Sequence, residues 1–299
     1  MINPDFFNVE KYLVSRNIEI RYQGENVSRS GDWIGICCPS CGENKFHLGI
    51  HLGWKICSCW ACPFGGNMVK LIMKLERVSY KEAGQIIEEF SDGRIYNRPK
   101  ATSKQIELVN MDFERGLQDI HQQYLIDRNF DPEYISAKYR LYNGGISGRY
   151  RYRIIAPVIW QNKIVTFIAR DVTGLSIPYL ALEENKSIYT TKECLYGLDS
   201  VSDTVIITEG VTDVWRIGDG SVAILGKNYT PMQLILLKDV RRKFVMLDKD
   251  ASEKAERLAH DLSCFGGSVE KLTLSEGDPA DLSEDDVKTW RNDIFGRIF

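Results

Sequence analysis

Residues 204–250 restrict the fold more than any other part of the chain. They contain three short apolar or β-branched runs, at 204–208, 221–225 and 243–247, separated by segments with helix-start chemistry. Thr230 reads as an N-cap, with Pro231 at the first helical position and Gln233 closing a capping box. Short strands alternating with helices predict an α/β fold, a parallel sheet flanked by helices. In such sheets the working site lies beyond the carboxyl ends of the strands. The first run ends in Glu209-Gly210 and the third in Asp248-Lys249-Asp250, so three acids fall on that edge, with Asp213 one turn after Glu209. If the extended backbone persists past residue 247, Asp248 and Asp250 project to the same side.

Clustered carboxylates raise one another's pKa values unless a cation neutralises them. Hard oxygen donors suit Mg²⁺ or Mn²⁺, and Mg²⁺ keeps several waters and meets substrate phosphates. The alternative is that these are ordinary strand-end acids, solvated or capping helices.

A second constraint lies near the N-terminus. Six of the eight cysteines fall between positions 37 and 62, and two C-x-x-C pairs, Cys38/Cys41 and Cys59/Cys62, are separated by seventeen residues. Each pair closes a turn presenting two thiolates to one ion, and two such turns make the tetrahedral sulfur site that Zn²⁺ prefers. Between them Phe46, Leu48, Ile50 and Leu52 alternate with His47, Gly49 and His51, which is strand periodicity. The expectation is a small zinc-ribbon β domain holding one structural Zn²⁺. Cys37 and Cys57 compete with their neighbours as ligands, and the regular spacing favours Cys38 and Cys59. His47 and His51, on the polar strand face, are expected to face solvent or nucleic acid rather than metal.

The rest of the chain is ordinary in composition, with 43% hydrophobic and 26% charged residues and a formal charge of −3. That balance excludes a strongly basic nucleic-acid binder, so any such binding needs a local patch. No apolar run approaches membrane-spanning length and the first residues do not form a signal peptide, so a soluble, cytoplasmic protein is expected, in a bacterium or a phage-infected host. The richest basic segment carries Lys138, Arg140, Arg149, Arg151 and Arg153 among Tyr139, Tyr142, Tyr150 and Tyr152. Cations for phosphates beside aromatic faces for bases are what single-strand binding requires. An edge strand guarded by charge is the alternative.

The pattern EG-x-x-D followed by D-x-D about forty residues later resembles the TOPRIM domain of bacterial-type primases, topoisomerases and some nucleases. Gly277-Asp278-Pro279 resembles the third acidic element of that domain. Where primases place a further acid two residues later, this chain has Ala280, and Asp281 follows. The cysteine pairs, followed by Gly65-Gly66-Asn67 and a helix, resemble the N-terminal zinc-binding domain of replicative primases. Cys41 stands where the common bacterial form has His, as in the four-cysteine version of phage primase–helicases. YLIDRNFDPEYISAKYRLYNGG resembles the opening of the primase catalytic core.

That resemblance covers about residues 31–282 and implies a zinc-ribbon domain at 1–90, a linker at 91–109 and a catalytic core at 110–299. Within the core it implies a basic subdomain at 110–200 and the TOPRIM sheet at 201–282. No Walker loop occurs, which suggests a compact stand-alone form of phage type. The implied activity is synthesis of short RNA primers on single-stranded DNA by metal-dependent nucleotidyl transfer, from NTPs, beside a replicative helicase supplied as a separate chain. Glu209, Asp248 and Asp250 would be catalytic and bind Mg²⁺, with Asp213 and Asp278 in outer or second-metal roles. Arg149, Arg151, Arg153, Arg170 and Lys192 would hold template and triphosphate. Lys227 would meet the triphosphate or be a surface-loop lysine. A zinc-ribbon TOPRIM nuclease using the same acids, or an inactive DNA-binding adaptor, are the rival readings.

Overall fold

The structure is a computed structural model that describes residues 6–23, 27, 33–92, 108–226, 228–263, 265–274 and 277–296. Lys227 and residues 93–107 of the expected linker lie outside these described residues. The chain divides into two compact units, Met1–Ser103 and Lys104–Phe299.

The first unit begins with helix α1 (Val9–Ser15), capped by the Asn8 side chain. Four strands follow, β1 (Trp33–Ile36), β2 (Leu48–His51), β3 (Ile56–Cys59) and β4 (Gly65–Asn67), paired antiparallel in sequence order. Helices α2 (Met68–Glu76) and α3 (Tyr80–Glu89) close the unit. Ser79 and Glu82 form the capping box that starts α3, as their spacing predicts. Ile34, Ile36, Leu48 and Ile50 share one core with Tyr12 and Leu13 of α1, Leu71 and Ile72 of α2 and Ile87 of α3. A four-stranded ribbon too small to bury itself thus gains an apolar cover from three helices.

All four residues of β2 are buried, so its second face is not the polar surface its alternation suggests. The Trp33 ring lies where a Cβ on Gly49 would sit 3.3 Å away. The same ring meets His51 edge-on at 5.0 Å, and Trp54 stacks on the other side of His51 at 3.7 Å.

The second unit opens with β5 (Glu114–Arg115), α4 (Asp119–Ile126), α5 (Pro132–Tyr139) and β6 (Tyr142–Asn143). The long hairpin of β7 (Arg153–Trp160) and β8 (Lys163–Asp171) follows, then β9 (Tyr179–Ala181), giving an antiparallel five-stranded sheet in sequence order. Gln161 and Asn162 turn the hairpin with φ of 52° and 61°, the left-handed pair that a two-residue loop demands. Their N–H groups donate to the Asp199 carboxylate at 2.8 and 2.9 Å.

The parallel sheet comes next: β10 (Thr204–Thr208), α6 (Val211–Ile217), β11 (Ser221–Ala223), α7 (Pro231–Leu236), β12 (Arg242–Val245), α8 (Ser252–Ser263), β13 (Ser268–Lys271) and α9 (Glu284–Phe295). Strand order is β11-β10-β12-β13, every pair parallel. Alternation along the strands feeds two cores. Val205, Ile207, Val245 and Leu247 pack with Leu234 of α7 and Leu258 and Leu262 of α8. Ile206, Phe244 and Met246 point the other way and pack with Ile217 of α6 and Ile294 of α9. That is the helix–sheet–helix sandwich that short strands buried on both faces require. Among the described residues, no helix is long and apolar enough to cross a membrane.

Candidate active site and thiol site

β10 delivers Glu209 at its carboxyl end, and the chain turns into α6 at Gly210. A Cβ at Gly210 would sit 3.2 Å from the Tyr179 hydroxyl, so a larger residue would crowd the turn. Asp213 is only 4% exposed. Its Oδ2 accepts the backbone N–H of Gly210 at 2.8 Å and of Glu209 at 3.2 Å. The carboxylate therefore folds back over the strand–helix junction and fixes the backbone that carries Glu209. Burial pushes the Asp213 carboxyl up to about 7, and the charges of Asp248 and Asp278 add to the effect against the stabilising N–H donors.

β12 ends at Val245, and the backbone does not stay extended through the two aspartates. Asp248 instead immediately precedes a single 3₁₀ turn, Lys249–Ala251, which contains Asp250, and its side chain makes no capping bond. The alternation that would have put both side chains on one strand face is therefore lost. They are nevertheless brought to one place, an open cleft of about 580 Å³ lined by Asp248, Lys249, Asp250, Gly277, Asp278 and Asp281. Burial pushes Asp248 up to about 6, reinforced by Glu209, Asp278 and Asp250. A second 3₁₀ turn, Pro279–Asp281, carries the last acids. Asp278 caps it by accepting from the Ala280 N–H at 3.0 Å, and Arg216 of α6 ties it down by donating to the Ala280 carbonyl at 3.0 Å. Asp281, without a place in the sequence pattern, lines the cleft with the others.

Two further residues reach the acidic junction. Lys254, in the first turn of α8, pairs its ammonium with Glu209 Oε2 at 2.8 Å. Tyr179 of β9 reaches the same junction, its hydroxyl 3.3 Å from Thr212 Oγ1. Neither belongs to a spacing rule, because both pairs join residues more than thirty positions apart.

The basic candidates separate. Arg170 lies 4.7 Å from the Tyr179 ring centre and 5.5 Å from that of Tyr124, beside the acidic junction, and its buried Nε has no hydrogen-bond partner. Arg149 and Arg151 are exposed, Arg149 with Glu183 at 3.3 Å. Lys192 is also exposed. Arg153 does not fit the expected phosphate-binding role. It is 5% exposed and donates to the Ala169 carbonyl at 3.1 Å and to Ser176 Oγ at 2.6 Å, which ties β7 to β8 and the following loop. The aromatic half of the segment is likewise turned inward. Tyr142 is buried, Tyr139 donates to the Val214 carbonyl, and Tyr150 packs against Phe113 and Phe167.

In the first unit, Cys38, Cys41, Cys59 and Cys62 place their sulfurs within 4.8 Å of one another. The Cys38–Cys62 and Cys41–Cys59 separations are 3.8 and 4.0 Å. A tetrahedron with Zn–S bonds of about 2.3 Å has edges of about 3.8 Å, so the four thiols fit that ion. Burial pushes the Cys38 and Cys59 thiols up, and a divalent cation among them reverses that preference for the proton. Cys37 and Cys57 lie outside the cluster. His51 is 2% exposed, and its Nδ1 accepts the N–H groups of Gly53 and Trp54 at 3.1 and 3.0 Å. It braces the β2–β3 turn instead of facing solvent. His47 lies against Glu43 at 3.5 Å. Trp60, between Cys59 and Cys62, is 78% exposed.

The acids Asp248, Asp250, Asp278 and Asp281 line an open cleft. Such an arrangement suits a cation that keeps its own waters and shares itself with a substrate.

No family model matches the chain. It is 24% identical to the DNA primase of Clostridium acetobutylicum over 82% of its length and 49% of that protein. To the DNA primase of Helicobacter pylori it is 23% identical, over 92% of its length and 59% of that protein. By sequence and by fold, the chain is similar to the DNA primases. The zinc-binding and RNA polymerase domains of the Aquifex aeolicus primase superpose with a TM-score of 0.54 and 19% identity, covering 89% of this chain and 79% of that one. A DnaG primase catalytic domain bound to single-stranded DNA gives 0.52 and 17%, covering 60% and 73%. These superpositions establish the primase-type fold: a ribbon domain, then an antiparallel sheet and a parallel α/β sheet. The chain spans about half the length of the primases it matches.

Proposed function

We propose that the chain is a DNA primase that builds short RNA primers from NTPs on a single-stranded DNA template. The observation that carries this reading is an open cleft at the carboxyl edge of a parallel sheet, lined by Asp248, Asp250 and Asp278 with Glu209 near enough for its charge to act on Asp248, in a chain that also holds a four-thiol ribbon.

Glu209, Asp248, Asp250 and Asp278 would hold Mg²⁺ or Mn²⁺, with Asp213 acting one step removed. Burial first, and the neighbouring carboxylate charges second, raise the proton affinity of Asp248 and Asp213, a cost that a bound cation would offset. A bound divalent cation supplies neutralisation of triphosphate charge and a lowered pKa for the attacking 3′-hydroxyl. Asp213 would keep the Glu209 backbone in place. Arg170, beside the acids, would take an anionic oxygen of the triphosphate or template, and Arg149, Arg151 and Lys192 would follow the template backbone. One Zn²⁺ on Cys38, Cys41, Cys59 and Cys62 would stabilise the ribbon, whose exposed Trp60 is the aromatic face best placed to stack on a template base. A replicative helicase on a separate chain is the partner this reading implies.

The experiment is incubation with single-stranded DNA and labelled NTPs in Mg²⁺ or Mn²⁺. Short oligoribonucleotides are the expected product. Cleaved template without them would move the assignment to a nuclease, and neither product would favour a binding adaptor.

A further inference from the structure

Lys254 is oddly placed for a helical lysine. It is the third residue of α8, in the first turn, where the helix dipole disfavours a cation. Asp250, four residues earlier, is a nearby acid, yet the ammonium bonds instead to Glu209, 45 positions away in sequence. Lys254 and Glu209 are largely covered, with side chains 17% and 22% exposed, so the pair is shielded compared with a surface ion pair. Lys271 of the adjoining β13 bonds Glu256 and Ser252 instead, while Lys249 lies on the cleft lining. Asp250, Asp248, Asp278 and Asp281 remain on the cleft.

We propose that Lys254 is an internal counter-ion of the carboxylate cluster, which occupies Glu209 until a divalent cation displaces it. The inference rests on the primase reading only in taking Glu209 as a metal ligand. With Lys254 on Oε2, Glu209 offers a metal its other oxygen, and the ammonium offsets the carboxylate charge. Binding of the cation alone is thereby weakened, and a ligand that favours one state shifts the population toward it. A triphosphate that arrives with its own cation adds negative charge and gives the displaced ammonium a new partner. Lys254 thus couples metal uptake to nucleotide arrival, and it is a positioning residue.

The test is Mn²⁺ binding without nucleotide, followed by electron paramagnetic resonance, on the full chain with its zinc retained. Lys254→Met and Lys254→Gln should both bind Mn²⁺ roughly three- to tenfold more tightly than wild type, as expected for removal of a competing, partly buried charge. Lys254→Arg keeps the charge and should retain wild-type affinity, which a packing effect alone would not produce. Glu209→Gln should lose most of the binding. A Mn²⁺ site in wild type that Lys254→Met and Lys254→Gln leave unchanged or weaken overturns this inference alone. No Mn²⁺ site in wild type or any variant overturns the metal reading of Glu209 and this inference with it.

Discussion

The Asp213 carboxylate accepts the Gly210 backbone N–H at 2.8 Å, inside a junction where Asp213 is 4% exposed. A residue that looks like a fourth metal ligand in the sequence is therefore first a backbone brace, buried against the charges of Asp248 and Asp278. Its raised proton affinity gives a sign to the pH dependence of the metal-free protein. The folded state holds the Asp213 proton up to about pH 7, whereas the unfolded chain releases it in the ordinary carboxylate range. The stability this group contributes is complete below that range and is lost as pH rises toward about 7. Asp213→Asn keeps an oxygen acceptor and cannot ionise. In chelator that spares the thiol site, its melting temperature should gain on wild type between pH 5 and pH 8. A gap that shrinks over that interval would refute the assignment, and saturating Mg²⁺ should narrow it.

The thiol cluster predicts about one Zn²⁺ per chain. Elemental analysis should show its loss from a Cys59→Ser, Cys62→Ser double variant. Cys37→Ser should retain it, because Cys37 lies outside the cluster. Zinc retained in the double variant would mean that other residues hold the ion.

The basic segment now divides into two kinds of arginine. Arg149→Ala with Arg151→Ala should weaken single-strand binding and reduce the slope of log affinity against log salt by roughly 0.7 for each phosphate no longer neutralised. Arg153→Ala should leave that slope alone and cost about 1.5–3 kcal/mol of stability, because it removes the buried guanidinium's charge-assisted bonds to the Ala169 carbonyl and to Ser176. Denaturant melts and salt titrations on the same variants separate the two. A changed slope in Arg153→Ala with unchanged stability would return it to the binding surface.

Catalysis and template reading should fail differently. Asp248→Asn should keep zinc content and template binding and lose all phosphodiester formation, including extension of a supplied dinucleotide. Trp60→Ala, at an exposed ribbon position, should reduce de novo initiation by roughly tenfold, the scale of removing one base–aromatic stack, with extension largely retained. Equal loss of initiation and extension in Trp60→Ala would place the ribbon inside the catalytic step.

Local chemistry was legible in the sequence wherever a short-range rule governs it. The two C-x-x-C turns, the capping boxes at Ser79 and Thr230, the Gln161-Asn162 hairpin and the alternation of strands with helices each depend on residues a few positions apart. Those spacings determine the four-thiol site, the parallel sheet and the edge on which Glu209, Asp248 and Asp250 appear. Side-chain partners across long separations were decided by the tertiary structure. Arg153, Tyr139 and Tyr142 have the composition of a binding stripe, but packing turned them into the core. His51 alternates like a surface residue, but two tryptophans cover it. Asp281 and Lys254 carry no motif, yet the turn after Gly277 and the entry into α8 bring them to the acids. The physical reason is burial: one-dimensional spacing sets which side of a strand or helix a residue occupies, and only the packed neighbours set whether that side meets water, an acid or another ring.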